Sequence, residues 1–310
     1  DDCLALIRRQ FTQMPVVGRP QQSGTPPRFD PESIYDMMPG DHRLPYQTGD
    51  LFDRILDADS FLEFQPDYAP EMLCGVGKLN GSNVGVIANR RGFLKAAAGP
   101  RIGGIVYAES ARKVAYFVEN AERHRLPLIY IQDVSGFMVG VGSESDGIIR
   151  AGAEMVETMA TATVPKITLV VNHASGAGYY AMAGQGFDPN FTLCWPTARI
   201  GVMEGDSAVQ AMFAPELEKL KAAGQPVPPE LEAKIQATRQ DYDRWLDARH
   251  AAARGHCDAL IDPKCTRRVL SLLLEVTSAH GGGDHLPVQL FSSASGPVSE
   301  EANLPKLGIA

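Results

Sequence analysis

The sequence predicts an α/β fold in which several strands run parallel, and three observations predict it. Leu128 to Gln132 and Lys166 to Val171 are continuous strand-like runs, as expected for a sheet covered on both faces. Each run ends in a loop of small residues that leads into a helical pattern: Ser135-Gly136-Phe137-Met138-Val139-Gly140 after the first, Ser175-Gly176-Ala177-Gly178 after the second. Repeated strand–loop–helix units build parallel sheets. Ahead of them, Asn80-Gly81 between two short strand patterns signals a hairpin.

In chain order, residues 4 to 13 form a short amphipathic helix pattern closed before Pro15. Residues 15 to 46 are rich in Pro, Gly and polar residues and read as an extended linker. Thr48 or Asp50 is placed to cap a helix whose inner face carries Leu51, Phe52, Ile55 and Leu56. Phe61 to Phe64, Gly75 to Leu79 and Val84 to Asn89 have strand composition. Arg91 to Gly104, with its glycines and one proline, reads as a loop. Ala111, Val114, Ala115, Val118 and Ala121 are spaced for burial on a helix from about Tyr107 to His124. After the two strand–loop–helix units, Pro215 to Ala253 is charged and helical in pattern. Gly224-Gln225-Pro226 breaks it into an exposed hairpin. A last helix is expected from Thr266 to about Ser278, followed by a loosely packed polar tail after Gly281-Gly282-Gly283.

At 310 residues the chain can bury a full core. An apolar fraction of 44% and a charged fraction of 21% are ordinary for a globular protein. A net charge of −8 gives no basic footprint for nucleic acid. No apolar run has the length of a membrane span, and no signal peptide pattern opens the sequence. The five cysteines are irregularly spaced and lack a CxxC, which reads as reduced thiols in a cytoplasmic-type compartment. Position 1 is Asp rather than Met, so a piece of a longer chain is expected.

The two small-residue loops are where backbone amides can approach a ligand closely. A helix start beyond such a turn adds unpaired N–H groups and positive dipole. Two places are therefore set up to meet a negative oxygen, in the manner of an oxyanion hole. The alternative is that the same loops are tight turns that let helices pack on the sheet. No G-x-S-x-G elbow, P-loop or dinucleotide fingerprint is present. Ser175 and His173 are either a nucleophile–base pair or loop partners. Asp133 ends a strand, as an acid or as the cap of the next turn. Arg91 and Lys95 are loop cations that either meet a ligand's phosphate or carboxylate or are simply solvated. His256, Cys257 and Cys265 lack a metal-site spacing, and no metal is expected.

Together, DVSGFMVG (133–140), DGIIRAGAEMV (146–156), ATVPKITLVV (162–171), SGAGYYAMAG (175–184), WPTARIGVM (195–203) and ALIDPKCTRRVL (259–270) resemble the carboxyltransferase component of biotin-dependent acyl-CoA carboxylases and decarboxylases. YDMMPGDHRLPY (35–46) and the stretch 51–90 fit as well, so the resemblance covers residues 30 to 275 in order. It implies the crotonase (ClpP-like) fold, an α/β architecture of repeated ββα-type units. Full-length members have an N domain that mostly holds acyl-CoA and a C domain that mostly holds biotin. These motifs resemble the C domain. Residues 1–30 then correspond to a connector helix and linker, 31–280 to the biotin-side crotonase domain and 281–310 to a flexible tail. An isolated C domain is expected to be catalytically incomplete.

The resemblance implies transfer of a carboxyl group between biotin and the α- or vinylogous carbon of an acyl-CoA. Both halves of that reaction put negative charge on an oxygen, which calls for two oxyanion holes and no strong side-chain base. The biotin-side hole matches Gly176-Ala177-Gly178, with the amides of Ala177 and Gly178 as donors. Gly136, Phe137 and Met138 match a loop that lines the biotin and acyl pocket, and Tyr179 and Tyr180 match acyl-pocket positions. Gly178→Val is expected to block biotin access without unfolding the chain. GFMVG and GAGYY look more like methylcrotonyl-CoA and geranyl-CoA enzymes. The stretch 96–113 looks more like the α subunit of glutaconyl-CoA decarboxylase, which removes a carboxyl group onto biotin in a sodium-pumping system. The implied cofactors are biotin on a partner carrier protein and an acyl-CoA substrate. The implied partners are an N-terminal carboxyltransferase domain or subunit, the biotin carboxyl carrier protein, a biotin carboxylase or membrane decarboxylase subunit, and further copies of the chain in a dimer or larger oligomer. The implied location is cytoplasmic, or the mitochondrial matrix in a eukaryote. Two other readings stand beside this one. A crotonase-fold enoyl-CoA hydratase or isomerase would rely on Glu144 and Asp146 as acid and base. A scaffolding half would bind the biotin carrier without turnover.

Overall fold

A computed structural model describes residues 24–96 and 99–279; the expected helix at 4–13 and the tail after 283 lie outside the described residues. Strands are β1 (Leu62–Glu63), β2 (Met72–Leu79), β3 (Ser82–Asn89), β4 (Phe93–Ala96), β5 (Gly99–Ile102), β6 (Ile105–Val106), β7 (Leu128–Val134), β8 (Gly136–Phe137), β9 (Lys166–Ser175), β10 (Phe191–Cys194), β11 (Arg199–Gly201) and β12 (Ala259–Leu260). Helices are α1 (Ile34–Met37), α2 (Thr48–Ile55), α3 (Ala108–Arg123), α4 (Val141–Ser145), α5 (Ile148–Thr161), α6 (Gly176–Ala181), α7 (Gly205–Ala222), α8 (Pro229–Leu246), α9 (Ala248–Ala253) and α10 (Thr266–Ala279). The main sheet has the order β1-β2-β3-β7-β9-β10-β12, with β11 added to β9. Its first two pairings are antiparallel and the rest parallel.

β7 and β9 are buried along their whole length, because both faces of the sheet are covered. Leu128, Tyr130 and Val134 pack with α3 and α5 through Ala111, Val114, Ala151 and Met155. Ile129, Ile131, Ile167, Leu169 and Val171 pack on the other face with Ile34, Leu51, Phe52, Ile55 and Leu270. Alternate residues therefore report which face a side chain serves. Lys166 is nearly fully buried in β9. Its ammonium donates to Met159 O and Ala162 O at the carboxyl end of α5, where unpaired carbonyls and the helix dipole favour a cation.

The expected loop at 91–104 is instead a hairpin, β4 paired antiparallel with β5 from Phe93↔Ile102 to Ala96↔Gly99. Its glycines and Pro100 suit a two-stranded edge ribbon, in which a proline need not donate to a neighbour. The helical hairpin also starts earlier than expected. α7 begins at Gly205 and carries Pro215 inside it. Its packing against α8 through Val209, Phe213, Leu217, Leu231 and Ile235 outweighs the one hydrogen bond the proline forgoes. Thr48 lies within α2, whose cap position is Gln47, and the Thr48 hydroxyl donates to Asn89 O.

Candidate functional site

β9 runs straight into α6. Ser175 is extended at the cap position, and Gly176 takes φ +53, a conformation that glycine adopts without steric cost. The far end of α6 is held from below. Gln132 of β7 donates to Met182 O at 2.6 Å and Tyr179 O at 3.2 Å, and Thr168 of β9 donates to Ala183 O at 2.6 Å. In the first turn Ala177 is exposed and Gly178 buried, and the helix itself has no carbonyl for the N–H groups of that turn.

The second loop meets this turn. β8 pairs with β6 (Gly136↔Ile105, Phe137↔Val106), and Ser135 N donates to Gly104 O at 2.7 Å. A Cβ built on Gly178 would lie 2.7 Å from Val134 Cγ2 and 3.0 Å from Gly136 Cα. The two loops thus touch through glycine. Any larger residue at 178 must displace one of them, so Gly178→Val acts on the packing of the loops, not only on ligand access as the sequence suggested.

Beside this contact lies a cleft of about 520 Å³. Phe137, Met138, Ile148, Ile149, Val156, Tyr180 and Phe187 make it mainly apolar, and Ala177 opens onto it. Gly152 leaves room for the Phe137 ring, which a Cβ there would approach to 3.1 Å. Tyr180 is half-exposed and meets Phe187 edge-on, with ring centroids 6.0 Å apart. Glu144 is the sole carboxylate among the cleft's described lining residues.

Of the residues singled out in the sequence, Phe137, Met138, Ala177 and Tyr180 share this cleft, with Gly136, Gly176 and Gly178 shaping the loops beside it. Tyr179, matched in the sequence to an acyl-pocket position, does not line this cleft. It is buried with Val170, Cys194, Ala198 and Cys257 on the inner side of α6, and its hydroxyl accepts from Gln185 N at 3.0 Å. Burial pushes its phenol up to about 12. One residue of helical rotation separates the two tyrosines, and the anchoring of α6 sets which faces the cleft.

A polar cluster that the sequence reading left unassembled lies at the carboxyl ends of β7 and β9. Asp133 Oδ1 accepts from His173 N at 3.2 Å and from His173 Nδ1 at 3.0 Å. His173 Nε2 is 2.9 Å from His42 Nδ1 and 3.7 Å from Glu204 Oε1. Both His173 nitrogens are thus engaged without Ser175, and Ser175 Oγ is buried with no hydrogen-bond partner. The geometry is not that of a serine nucleophile and its base. Arg91 is neither solvated nor a free ligand contact: its Nε lies 3.5 Å from Asp133 Oδ2, and its side chain is only 11% exposed. Asp133 does not cap the following turn. Burial, reinforced by Arg199 and His173, holds the His42 imidazole below its usual value.

Among the described residues no helix is long and apolar enough to cross a membrane, and no group of three or more His, Cys, Asp or Glu could hold a metal ion.

The family described as the carboxyl transferase domain matches residues 1–281. The chain is 35% identical over 266 residues to the biotin-dependent 3-methylcrotonyl-coenzyme A carboxylase beta1 subunit of Mycobacterium tuberculosis, covering 86% of this chain and 48% of that one. The solved beta subunit of P. aeruginosa geranyl-CoA carboxylase aligns with a TM-score of 0.74 at 31% identity, over 91% of this chain and 51% of its own. Transcarboxylase 12S, solved as a hexamer assembly with methylmalonyl-coenzyme A and methylmalonic acid bound, aligns with a TM-score of 0.74 at 26% identity over 97% of this chain and 54% of its own. The chain spans about half the length of the curated relatives it matches. The mixed sheet and these neighbours give the crotonase-like α/β architecture that the motifs implied. The chain belongs to the carboxyl transferase domain family.

Proposed function

We propose that this chain is the biotin-side half of a biotin-dependent acyl-CoA carboxyltransferase. The observation that supports the reading is the first turn of α6, where Ala177 lines a mainly apolar cleft and Gly178 packs against the Gly136 loop. The residues present fit the group: Ala177, exposed and small at the start of α6, lines the cleft together with Phe137, Met138 and Tyr180. Biotin, when bound, supplies the ureido nitrogen that carries the transferable carboxyl group. The chain's own part is to hold the ureido oxygen with the Ala177 and Gly178 N–H groups, so that negative charge gathering there meets fixed donors. Removing one such donor typically costs roughly 10²–10³ in rate. Phe137, Met138 and Tyr180 exclude water, which strengthens those donors.

The acyl group is proposed to be apolar and branched or extended, because Ile149, Val156, Tyr180 and Phe187 offer it packing surface. A hydratase or isomerase reading is not favoured, since Glu144 has no second carboxylate beside it in the cleft lining. In the cleft lining Val139 and Ile149 are 80% and 75% exposed. That surface suits coverage by the other half of the carboxyltransferase, in an oligomer that also receives the biotin carrier.

The test uses the intact carboxyltransferase with its carrier. Carboxyl transfer is measured to acetyl-, propionyl-, methylcrotonyl- and geranyl-CoA. Transfer is expected, with the branched or extended apolar thioesters preferred. Absence of transfer to all four would sink the reading.

A further inference from the structure

At the carboxyl ends of β3, β7 and β9, side chains take over from the backbone ladder. β3 and β7 pair up to Ala88↔Ile131. Two residues on, the Asp133 N–H donates to the Asn89 side-chain oxygen at 3.1 Å. Between β7 and β9 the register shifts: Gln132 faces Val170 and Val134 faces Ala174. Two steps along β7 (132 to 134) thus correspond to four along β9 (170 to 174), and Asp133 stands in that gap. Its side chain is 1% exposed. Oδ1 accepts the His173 backbone N–H at 3.2 Å and the His173 ring Nδ1–H at 3.0 Å, while Oδ2 faces Asn172 Nδ2 at 3.4 Å and Arg91 Nε at 3.5 Å.

We infer that Asp133 is a positioning residue for the site: its carboxylate replaces the ladder acceptor missing between β7 and β9 and so fixes the Gly136 loop against the first turn of α6. This rests on the proposed carboxyltransferase reading of that turn. The reach of an aspartate side chain lets the strand ends part while staying bonded. Val134, Ser135 and Gly136 follow Asp133 directly, as Ala174, Ser175 and Gly176 follow His173. The gap between the two tails decides whether Gly178 can sit on Gly136, which a Cβ at 178 would approach to 3.0 Å. Arg91 adds a third tie, with its guanidinium 3.5 Å from Asp133 and 3.3 Å from Ser135 Oγ. An apolar residue at 133 would leave a buried N–H unpaired and the guanidinium without its counter-charge.

The test compares the intact wild-type carboxyltransferase with Asp133→Ala and Asp133→Asn. Asparagine keeps an acceptor for His173 but turns a donor towards Asn172 and Arg91. In hydrogen exchange read by mass spectrometry, peptides spanning 134–138 and 174–181 are expected to exchange faster in the alanine variant, while 111–121 in α3 keeps wild-type protection. In carboxyl transfer kcat is expected to fall roughly 10²-fold at unchanged acyl-CoA KM, with asparagine recovering part of the loss. A folded alanine variant with wild-type exchange in both loops overturns the inference, and so does loosening of both loops at unchanged kcat. If the alanine variant does not fold, the asparagine variant is judged by the same two readouts. If the wild type transfers no carboxyl group, the reading of the site fails, and the exchange result alone decides whether Asp133 fixes the loops.

Discussion

Gly178 rests directly on Gly136: a Cβ at 178 would come within 3.0 Å of the Gly136 Cα and 2.7 Å of Val134 Cγ2. The contact joins the loop after β7 to the helix after β9, so residue 178 is a packing position as well as a candidate donor. Gly178→Val is expected to destabilise the chain by about 1–3 kcal/mol through overpacking, which at this size lowers Tm by roughly 2–10 °C. A calorimetric scan checks it. An unchanged Tm would mean that the loops part at no cost.

Tyr180 meets the Phe187 ring edge-on at the rim of the cleft. Tyr180→Ala enlarges the space for an acyl group. The ratio of kcat/KM for a long acyl-CoA to that for a short one is expected to rise about tenfold, the scale at which apolar pockets discriminate. Steady-state kinetics on geranyl-CoA and propionyl-CoA measure it. An unchanged ratio would place the acyl chain elsewhere.

Glu122 ties α3 to the turn before β9, accepting from Thr163 N at 2.7 Å, Thr163 Oγ1 at 2.5 Å and Val164 N at 3.1 Å. Burial pushes its carboxyl up, but these donors outweigh burial and hold it below its ordinary value of 4.5. Because the folded value is depressed, the contribution is present above the unfolded value and fades as pH falls through the folded one. Glu122→Gln is therefore expected to cost about 1 kcal/mol near neutrality, discounted for partial exposure, and progressively less below pH 4.5. Urea melts of both proteins at pH 7 and pH 3.5 decide this. An equal difference at the two pH values would show that charge is not involved.

Much of this fold was legible because its signals are local. The continuous runs in β7 and β9 and the spacing of Ala111, Val114 and Val118 in α3 each lie within one element, as do the small residues flanking Phe137 and Ala177. The polar cluster was not legible. Asp133 and His173 are 40 residues apart, and His42 and His173 are 131 apart. What brings Asp133 to the His173 N–H is a register shift between strands, which leaves no trace in either strand's pattern. Arg91 looked solvated because glycines and a proline surround it in sequence, whereas in space it has Asp133. Tyr179 and Tyr180 are alike as residues. Only the anchoring of α6 by Gln132 and Thr168 separates a core side chain from a cleft one. Pro215 looked like a helix start because proline is favoured there, and tertiary packing of α7 on α8 overrode that preference.

The most direct test of the proposed site is carboxyl transfer by the intact carboxyltransferase carrying Ala177→Trp, followed beside its Tm. Ala177 is exposed and opens onto the cleft, so an indole there is expected to fill the space beside the amide donors with little effect on folding, within about 0.5 kcal/mol. The account predicts a wild type that transfers carboxyl groups and a variant with an unchanged Tm whose rate falls roughly 10²-fold or more. A variant that melts with the wild type and keeps its full rate would contradict the placement of the site at the first turn of α6.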